Sequence, residues 1–380
     1  GTQNLTSFSN RDLYEATSYN NLSAIIHKQV GNRDIRWEKS TQYDLGLDFA
    51  LFDYRLTGSI SGYIKDTKDL IWSFDFPPSA TGGSMQMNRN IGALTNRGIE
   101  INLVGRVLST KDWNLDLTLN MSHNKNKVTK LVEEGRAQSA MNVVVQGSYA
   151  DQVLAVGYPM GAFHGYEYAG IIQDQARIDE LNAYAKSKGQ SYYDGNSLKP
   201  GHLEIKDLNG DGIINYNDRV IIGNPDPDLF GGLTYKQFSL FANFGYQIGG
   251  LKIYNKTLQN LPGQLTGLID YGLNDRWSDT NKDAKYPALY IGDGVPRLTD
   301  HELFNASFFR LQEVRLTYNL PLNKVIKGQL FVSATNLFTL TSYPGTDPAT
   351  VNSNSNYGGN YETSTYPGFR SFSAGLKINL

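Results

Sequence analysis

A twelve-residue acidic loop at 207–218 has the clearest chemical pattern in the sequence. Its oxygen-bearing side chains occupy loop positions one, three, five, nine and twelve, and Gly212 stands at position six, where an EF-hand loop turns sharply. Hard oxygen ligands on a bent loop suit Ca²⁺, and Mg²⁺ less well. The pattern predicts a structural calcium site formed by Asp207, Asn209, Asp211, Ile213, Asn215 and Asp218.

The loop departs from the EF-hand pattern at its last position. Asp218 stands where a glutamate usually closes the loop with both carboxylate oxygens, and its shorter side chain weakens the site or changes its geometry. The flanking segments do not alternate like two amphipathic helices, which argues against a calcium-sensor switch. An Asx-rich turn that binds no metal is the alternative interpretation.

The sequence offers no catalytic motif. The five histidines are scattered without ligand spacing, and there is no nucleophile elbow, phosphate loop or dinucleotide fingerprint. We therefore expect a protein that is not an enzyme and has no catalytic residues.

Charge and hydropathy exclude two classes of function. The 35 basic and 37 acidic residues give a net charge of -2, so there is no basic field for nucleic acid. No apolar run approaches the roughly 18–20 residues that a membrane-spanning helix needs. The 24 Tyr, 17 Phe and 4 Trp fit a membrane–water boundary, while the lack of cysteine excludes disulfides.

Alternating apolar residues predict antiparallel β-hairpins with short turns. In the last nine residues, for example, Phe372, Leu376 and Ile378 alternate with small or polar residues, and Leu380 ends the chain. We expect about ten strands, and the paired segments are 41–49 with 56–64, 99–103 with 113–121, 231–235 with 238–246, and 309–318 with 330–334.

Long polar stretches separate these hairpins, at 124–158, 173–228, 249–305 and 339–366. Short turns at one end and long loops at the other are typical of an outer-membrane β-barrel. We interpret 173–228 as an extracellular loop insertion that contains the calcium-type loop. Within it, Ile178, Leu181 and Tyr184 have helical spacing, which predicts a helix over 174–188 capped by Gly189.

An ordered series of short motifs resembles the C-terminal half of SusC/RagA-type TonB-dependent transporters of the Bacteroidetes outer membrane. The resemblance covers about residues 36–380 and includes the calcium-type loop. Its other motifs are IRWEKSTQY at 35–43, NIG at 90–92, NRGIE at 96–100, IGNP at 222–225, ATNLFT at 334–339 and YPGFR at 366–370.

The resemblance implies an all-β, antiparallel transmembrane barrel of 22 strands, of which residues 1–380 would be the C-terminal part. The plug domain, the N-terminal strands and the contact with TonB would belong to the remaining N-terminal part of the same transporter. The implied partners are a SusD-like surface lipoprotein, outer-membrane lipid, and a glycan or, less often, peptide substrate.

We therefore expect import of a nutrient across the bacterial outer membrane. Aromatic loop side chains stack on sugars and peptides, so the candidate substrate contacts are Tyr286, Tyr290, Tyr357 and Tyr361, although each could instead pack among the loops. The alternative is a secreted soluble β-protein that binds or hydrolyses carbohydrate and is stabilised by calcium.

Overall fold

The computed structural model describes residues 8–19, 22–76, 85–110, 114–131, 143–146, 151–193, 197–237, 240–254, 275–288, 299–320, 327–350, 361–362 and 368–379. Within them lie helix α1 (Gln175–Ser187) and two 3-10 turns, Tyr216–Asp218 and Asp300–Glu302. The strands are β1 (Leu13–Tyr19), β2 (Leu22–Gln29), β3 (Lys39–Leu51), β4 (Leu56–Phe76), β5 (Met85–Ser109), β6 (Asn114–Lys130), β7 (Val143–Gln146), β8 (Asp151–Leu154), β9 (Ala162–Gly165), β10 (Tyr168–Ile171), β11 (Leu203–Ile205), β12 (Val220–Gly223), β13 (Pro227–Gln237), β14 (Leu240–Gly249), β15 (Leu251–Tyr254), β16 (Leu303–Asn305), β17 (Phe308–Leu320), β18 (Lys327–Thr341), β19 (Tyr361–Glu362) and β20 (Ser371–Asn379).

Nine strands form one antiparallel sheet, which we call the wall. Their order is β20-β18-β17-β14-β13-β6-β5-β4-β3, with β20 and β3 at the two edges. The four predicted hairpins are confirmed as β3–β4, β5–β6, β13–β14 and β17–β18. The predicted last strand is β20, and Leu380 lies outside the described residues.

The two faces of the wall differ in chemistry. One face, which we call the outer face, carries exposed apolar side chains: Leu45 is 82% exposed, Leu47 64% and Phe372 73%. The opposite, inner face carries polar pairs, such as the Tyr63 hydroxyl that donates to Asn124 at 2.9 Å. Apolar residues towards lipid and polar residues towards a lumen are the pattern of a membrane-spanning barrel.

The wall strands run further into the polar stretches than the sequence indicates. The prediction of a loop starting at residue 124 is wrong, because β6 continues to Lys130 and pairs with β5 throughout. The prediction relied on alternating apolar residues. Backbone pairing continues past the apolar part of the strands, into residues that are polar on both faces and therefore show no such alternation.

The long stretches between hairpins are also partly folded. Strands β7, β8, β9 and β12 form a small sheet, β10 pairs with β11, and β15 pairs with β16 and β19. Helix α1 begins after Asp174, whose carboxylate caps the Arg177 N–H at 3.0 Å. Gly189 follows with φ +74°, so the predicted helix and its glycine end are confirmed.

No helix in the described part of the chain is long and apolar enough to cross a membrane.

Candidate functional site

The calcium-type loop brings three carboxylates together. Oxygens of Asp207, Asp211 and Asp218 lie within 4.8 Å of one another. The backbone bends at Gly210 and Gly212, whose φ angles of +74° and +87° favour glycine. The sequence pattern therefore folds into the compact acidic turn that it predicts.

Asp207 is held by three hydrogen-bond donors. The N–H groups of Gly210 and Gly212 each donate to it at 2.7 Å, and the Tyr184 hydroxyl of α1 donates at 2.8 Å. Burial works against ionisation, but the bonds from Gly212, Tyr184 and Gly210 outweigh it and hold the pKa of Asp207 below its ordinary value. Asp207 is thus an anion at neutral pH.

Asp218 closes the loop from a fully buried position. Its two oxygens accept hydrogen bonds from the N–H groups of Leu208 at 3.0 Å and Asn215 at 2.9 Å. No described lysine, arginine or histidine forms an ion pair with it, while Asp207 and Asp211 lie beside it. Burying such a charge is costly unless a cation compensates it.

The other predicted ligands stabilise the turn from within. Asn209 accepts from the Asp211 N–H at 2.8 Å, and Asn215 accepts from the Asn217 N–H at 2.8 Å. The Ile213 N–H donates to Asp211 at 3.0 Å. The donor set fits a hard divalent cation, which would offset two of the three carboxylate charges when bound.

An apolar cluster anchors the loop to α1. Ile214 is buried, and its N–H donates to the carbonyl of Tyr192 at 2.8 Å. The Arg177 guanidinium of α1 also contacts Glu204 of β11 through two nitrogens, at 2.7 and 3.1 Å. The buried members are Ile172, Ile178, Leu181, Ala185, Tyr192, Tyr193, Ile205 and Ile214.

Of the four candidate substrate-binding tyrosines, the structure describes the side chain of Tyr286 alone. Tyr286 is only 7% exposed, and its ring meets His301 edge-on at 6.0 Å between centroids, so it packs among the loops in this conformation. Tyr361 belongs to β19, for which only the backbone is described. Tyr290 and Tyr357 lie outside the described residues. Contact of these tyrosines with substrate stays a prediction.

Inner-face residues of β3–β6 line a further concave site that the sequence analysis did not identify. Its cavity measures about 390 Å³ and is flanked by Tyr63, Lys65, Glu100 and Asn124 among other polar residues. The sequence does contain a pattern that could have indicated this site, because these polar residues alternate with the apolar residues of each strand.

The wall, with its apolar outer face and polar inner face, defines a protein of the outer-membrane barrel class. Residues 6–202 match the family TonB dependent receptor-like, beta-barrel, and the chain belongs to this family. Members of the family are outer-membrane receptors and transporters, and this chain is an outer-membrane protein.

Relatives agree with this assignment. The chain is 34% identical over 385 residues to TonB-dependent receptor P3 of Formosa agariphila, covering 96% of this chain and 36% of that protein. It is 28% identical over 361 residues to TonB-dependent receptor SusC of Bacteroides thetaiotaomicron, covering 91% of this chain and 32% of SusC.

A solved structure, the RagAB peptide transporter, has the same fold. It matches with a TM-score of 0.73 and 27% identity, over 98% of this chain and 39% of that chain. The resemblance to the SusC/RagA type is therefore confirmed, and the chain spans between 32% and 39% of the length of these relatives. Outer-membrane localisation excludes the alternative of a secreted soluble β-protein.

Proposed function

We propose that this chain forms barrel wall and substrate-facing loops of a transporter that imports a nutrient, a glycan or else a peptide. The carrying observation is the wall itself: apolar side chains cover one face, while polar pairs such as Tyr63–Asn124 line the other. A lumen lined by hydrogen-bonding groups can pass polar cargo that lipid would exclude. The named relative SusC and the RagAB peptide transporter support this proposal.

In the proposed assembly, a SusD-like surface lipoprotein covers the extracellular loops, and TonB supplies energy from the inner membrane. The protein changes no covalent bonds in its cargo. Its long loops lie at the ends of β6, β14 and β18, opposite the short turns, and they would meet the lipoprotein.

Calcium is the proposed structural ion of the 207–218 loop. Three clustered carboxylates, of which Asp218 is fully buried, support a bound cation. The ion would fix the loop against α1 and so hold the extracellular segment in shape.

Uptake by the full-length transporter tests the proposal. Cells that express it together with its lipoprotein are given a labelled oligosaccharide library or a labelled peptide library, with and without dissipation of the proton gradient. We expect energy-dependent accumulation of one class, and loss of it when the lipoprotein gene is deleted. Equal uptake by cells that lack the transporter would contradict the proposal.

A further inference from the structure

The outer face of β3–β6 changes from apolar to basic towards the long-loop end. The cross-strand row of Leu47, Ile60, Ile101 and Met121 is wholly apolar. Two rows nearer the long loops, the positions on β5 and β6 are cationic instead. Because successive rows on one face are about 6.6 Å apart, the basic residues begin roughly 13 Å from this apolar row.

Two pairs of like charges stand directly opposite each other on this face. Arg97 of β5 pairs with Lys125 of β6, and Lys39 of β3 pairs with Lys68 of β4. Lys127 follows one row further. Like charges at opposed positions destabilise a sheet unless an anion lies between them.

Acidic neighbours neutralise only one edge of this group, where Lys39 forms an ion pair with Asp69 at 3.7 Å. Asp66, on the same face, accepts a hydrogen bond from the Thr95 hydroxyl at 2.6 Å. Arg97, Lys125 and Lys127 form no ion pair with any acidic residue in the described ranges. All three are exposed, so their charges are available to a ligand from outside.

The same three side chains border one cavity. It measures about 400 Å³, and Thr95, Thr129 and Gly157 complete its lining. The Thr129 hydroxyl and a guanidinium beside two ammonium groups form a donor set suited to phosphate oxygens, while the Thr95 hydroxyl already donates to Asp66. A volume of this size accommodates a phosphate together with the sugar that carries it.

We propose that Arg97, Lys125 and Lys127 bind the phosphate groups of a phosphorylated glycolipid in the outer leaflet of the membrane. Their face is the one that contacts lipid, so cargo in the lumen does not reach them. The apolar rows below would contact the acyl chains of the same molecule, while the cations meet its headgroup. The site rests on the outer-membrane location of the chain and is independent of the cargo.

Lipid retention by the full-length transporter tests this site. The purified protein is mixed with a bisphosphorylated disaccharide glycolipid or with its dephosphorylated form, and bound lipid is counted by native mass spectrometry. The test variant combines Arg97→Gln, Lys125→Gln and Lys127→Gln. The matched control is Lys65→Gln, because Lys65 lies at the same height on the inner face.

We expect wild type and the Lys65→Gln control to prefer the phosphorylated lipid. The triple variant should bind it about a hundredfold more weakly, as the loss of three interfacial charges implies. Equal binding by the triple variant, an equal loss in the control, or no preference for phosphate in the wild type would each overturn the site.

A second measurement covers the case in which the triple variant does not fold. Binding of the phosphorylated lipid to wild type should weaken steeply as salt concentration rises, whereas binding of the dephosphorylated lipid should not. A salt-independent preference would count against the site. Energy-dependent uptake of cargo is a separate readout, so failure of the import proposal leaves this result interpretable.

Discussion

The ammonium group of Lys252 lies 5.2 Å from the centre of the Tyr343 ring, and both side chains are buried. The same nitrogen donates to the main-chain carbonyls of Asp347 at 3.2 Å and of Thr350. One lysine of β15 therefore holds a segment that follows β18. Cation–π contact and carbonyl oxygens together compensate the burial of its charge.

Replacing Lys252 with methionine should loosen the segment 343–350. The carbonyl oxygens that accept from Lys252 would lose their donor, at a cost of about 1–3 kcal/mol. Limited proteolysis of the full-length protein should show faster cleavage in this segment, while the exposed Lys282→Met variant behaves like wild type. Unchanged cleavage would show that other contacts hold the segment.

Removal of calcium should destabilise the loop at 207–218. At a calcium concentration of about one hundred times Kd, binding adds about 2.7 kcal/mol to stability. A chelator should therefore lower the melting temperature of the wild type, as followed by thermal unfolding.

The Asp218→Asn variant should lose this calcium response. The carboxylate of Asp218 accepts hydrogen bonds from two N–H groups, and in the variant the amide nitrogen would face one of these donors. The substitution also removes one negative charge from the site. Asp279→Asn, an exposed change elsewhere in the loops, should keep the response. If neither calcium nor the chelator changes the melting temperature of the wild type, the result would support the alternative interpretation of a turn that binds no metal.

The His301–Glu302 pair should make loop stability depend on pH. The imidazole Nδ1 lies 3.4 Å from a Glu302 oxygen, and both side chains are largely buried. Burial lowers the pKa of His301, but the hydrogen bond and charge of Glu302 outweigh it, so the folded-state pKa is raised above 6.5.

A raised histidine pKa stabilises the fold most at low pH. The contribution is complete below the unfolded pKa and is lost as pH rises through the folded pKa. The stability difference between wild type and His301→Gln should therefore be largest below the ordinary histidine pKa of about 6.5 and shrink as the pH rises through the raised folded-state pKa, as measured by thermal unfolding. A difference that stays constant across this range would contradict the assignment.

Gly98→Ala should disturb the inner face. A Cβ at this position would lie 2.5 Å from the Tyr63 ring, which packs over the glycine. The ring would have to move and give up its hydrogen bond to Asn124, at a cost of about 1–3 kcal/mol. In thermal unfolding, Gly46→Ala is the control, because its Cβ would meet Ser61 at an ordinary 3.6 Å.

The hairpins could be predicted because lipid imposes a strict alternation on each strand. Strands β3 and β4 both show it, and their short connection fixes which residues face each other. The acidic loop was predictable for a similar reason, since its ligand positions and glycines are close together in sequence. Asp174 and Gly189 likewise mark the two ends of α1 locally.

Contacts beyond the ends of the predicted hairpins, and contacts between segments far apart in sequence, were not predictable. Arg97 and Lys125 are 28 positions apart, and only the pairing of β5 with β6 places them side by side. The short strands β9 and β12 have no alternation of their own, and they pair across more than 50 residues of intervening chain. Tyr184 gave no signal for its bond to Asp207, because helix and loop meet only in the folded segment.

The cluster that anchors the acidic loop draws its buried side chains from residues 172–214 alone, none of which belongs to a wall strand. The unit therefore has an apolar core of its own, which can make its unfolding cooperative. It can therefore unfold in a separate, earlier transition while the membrane-embedded strands remain paired. Surface residues of this unit can also differ between transporters with little effect on the stability of the wall, which is embedded in lipid.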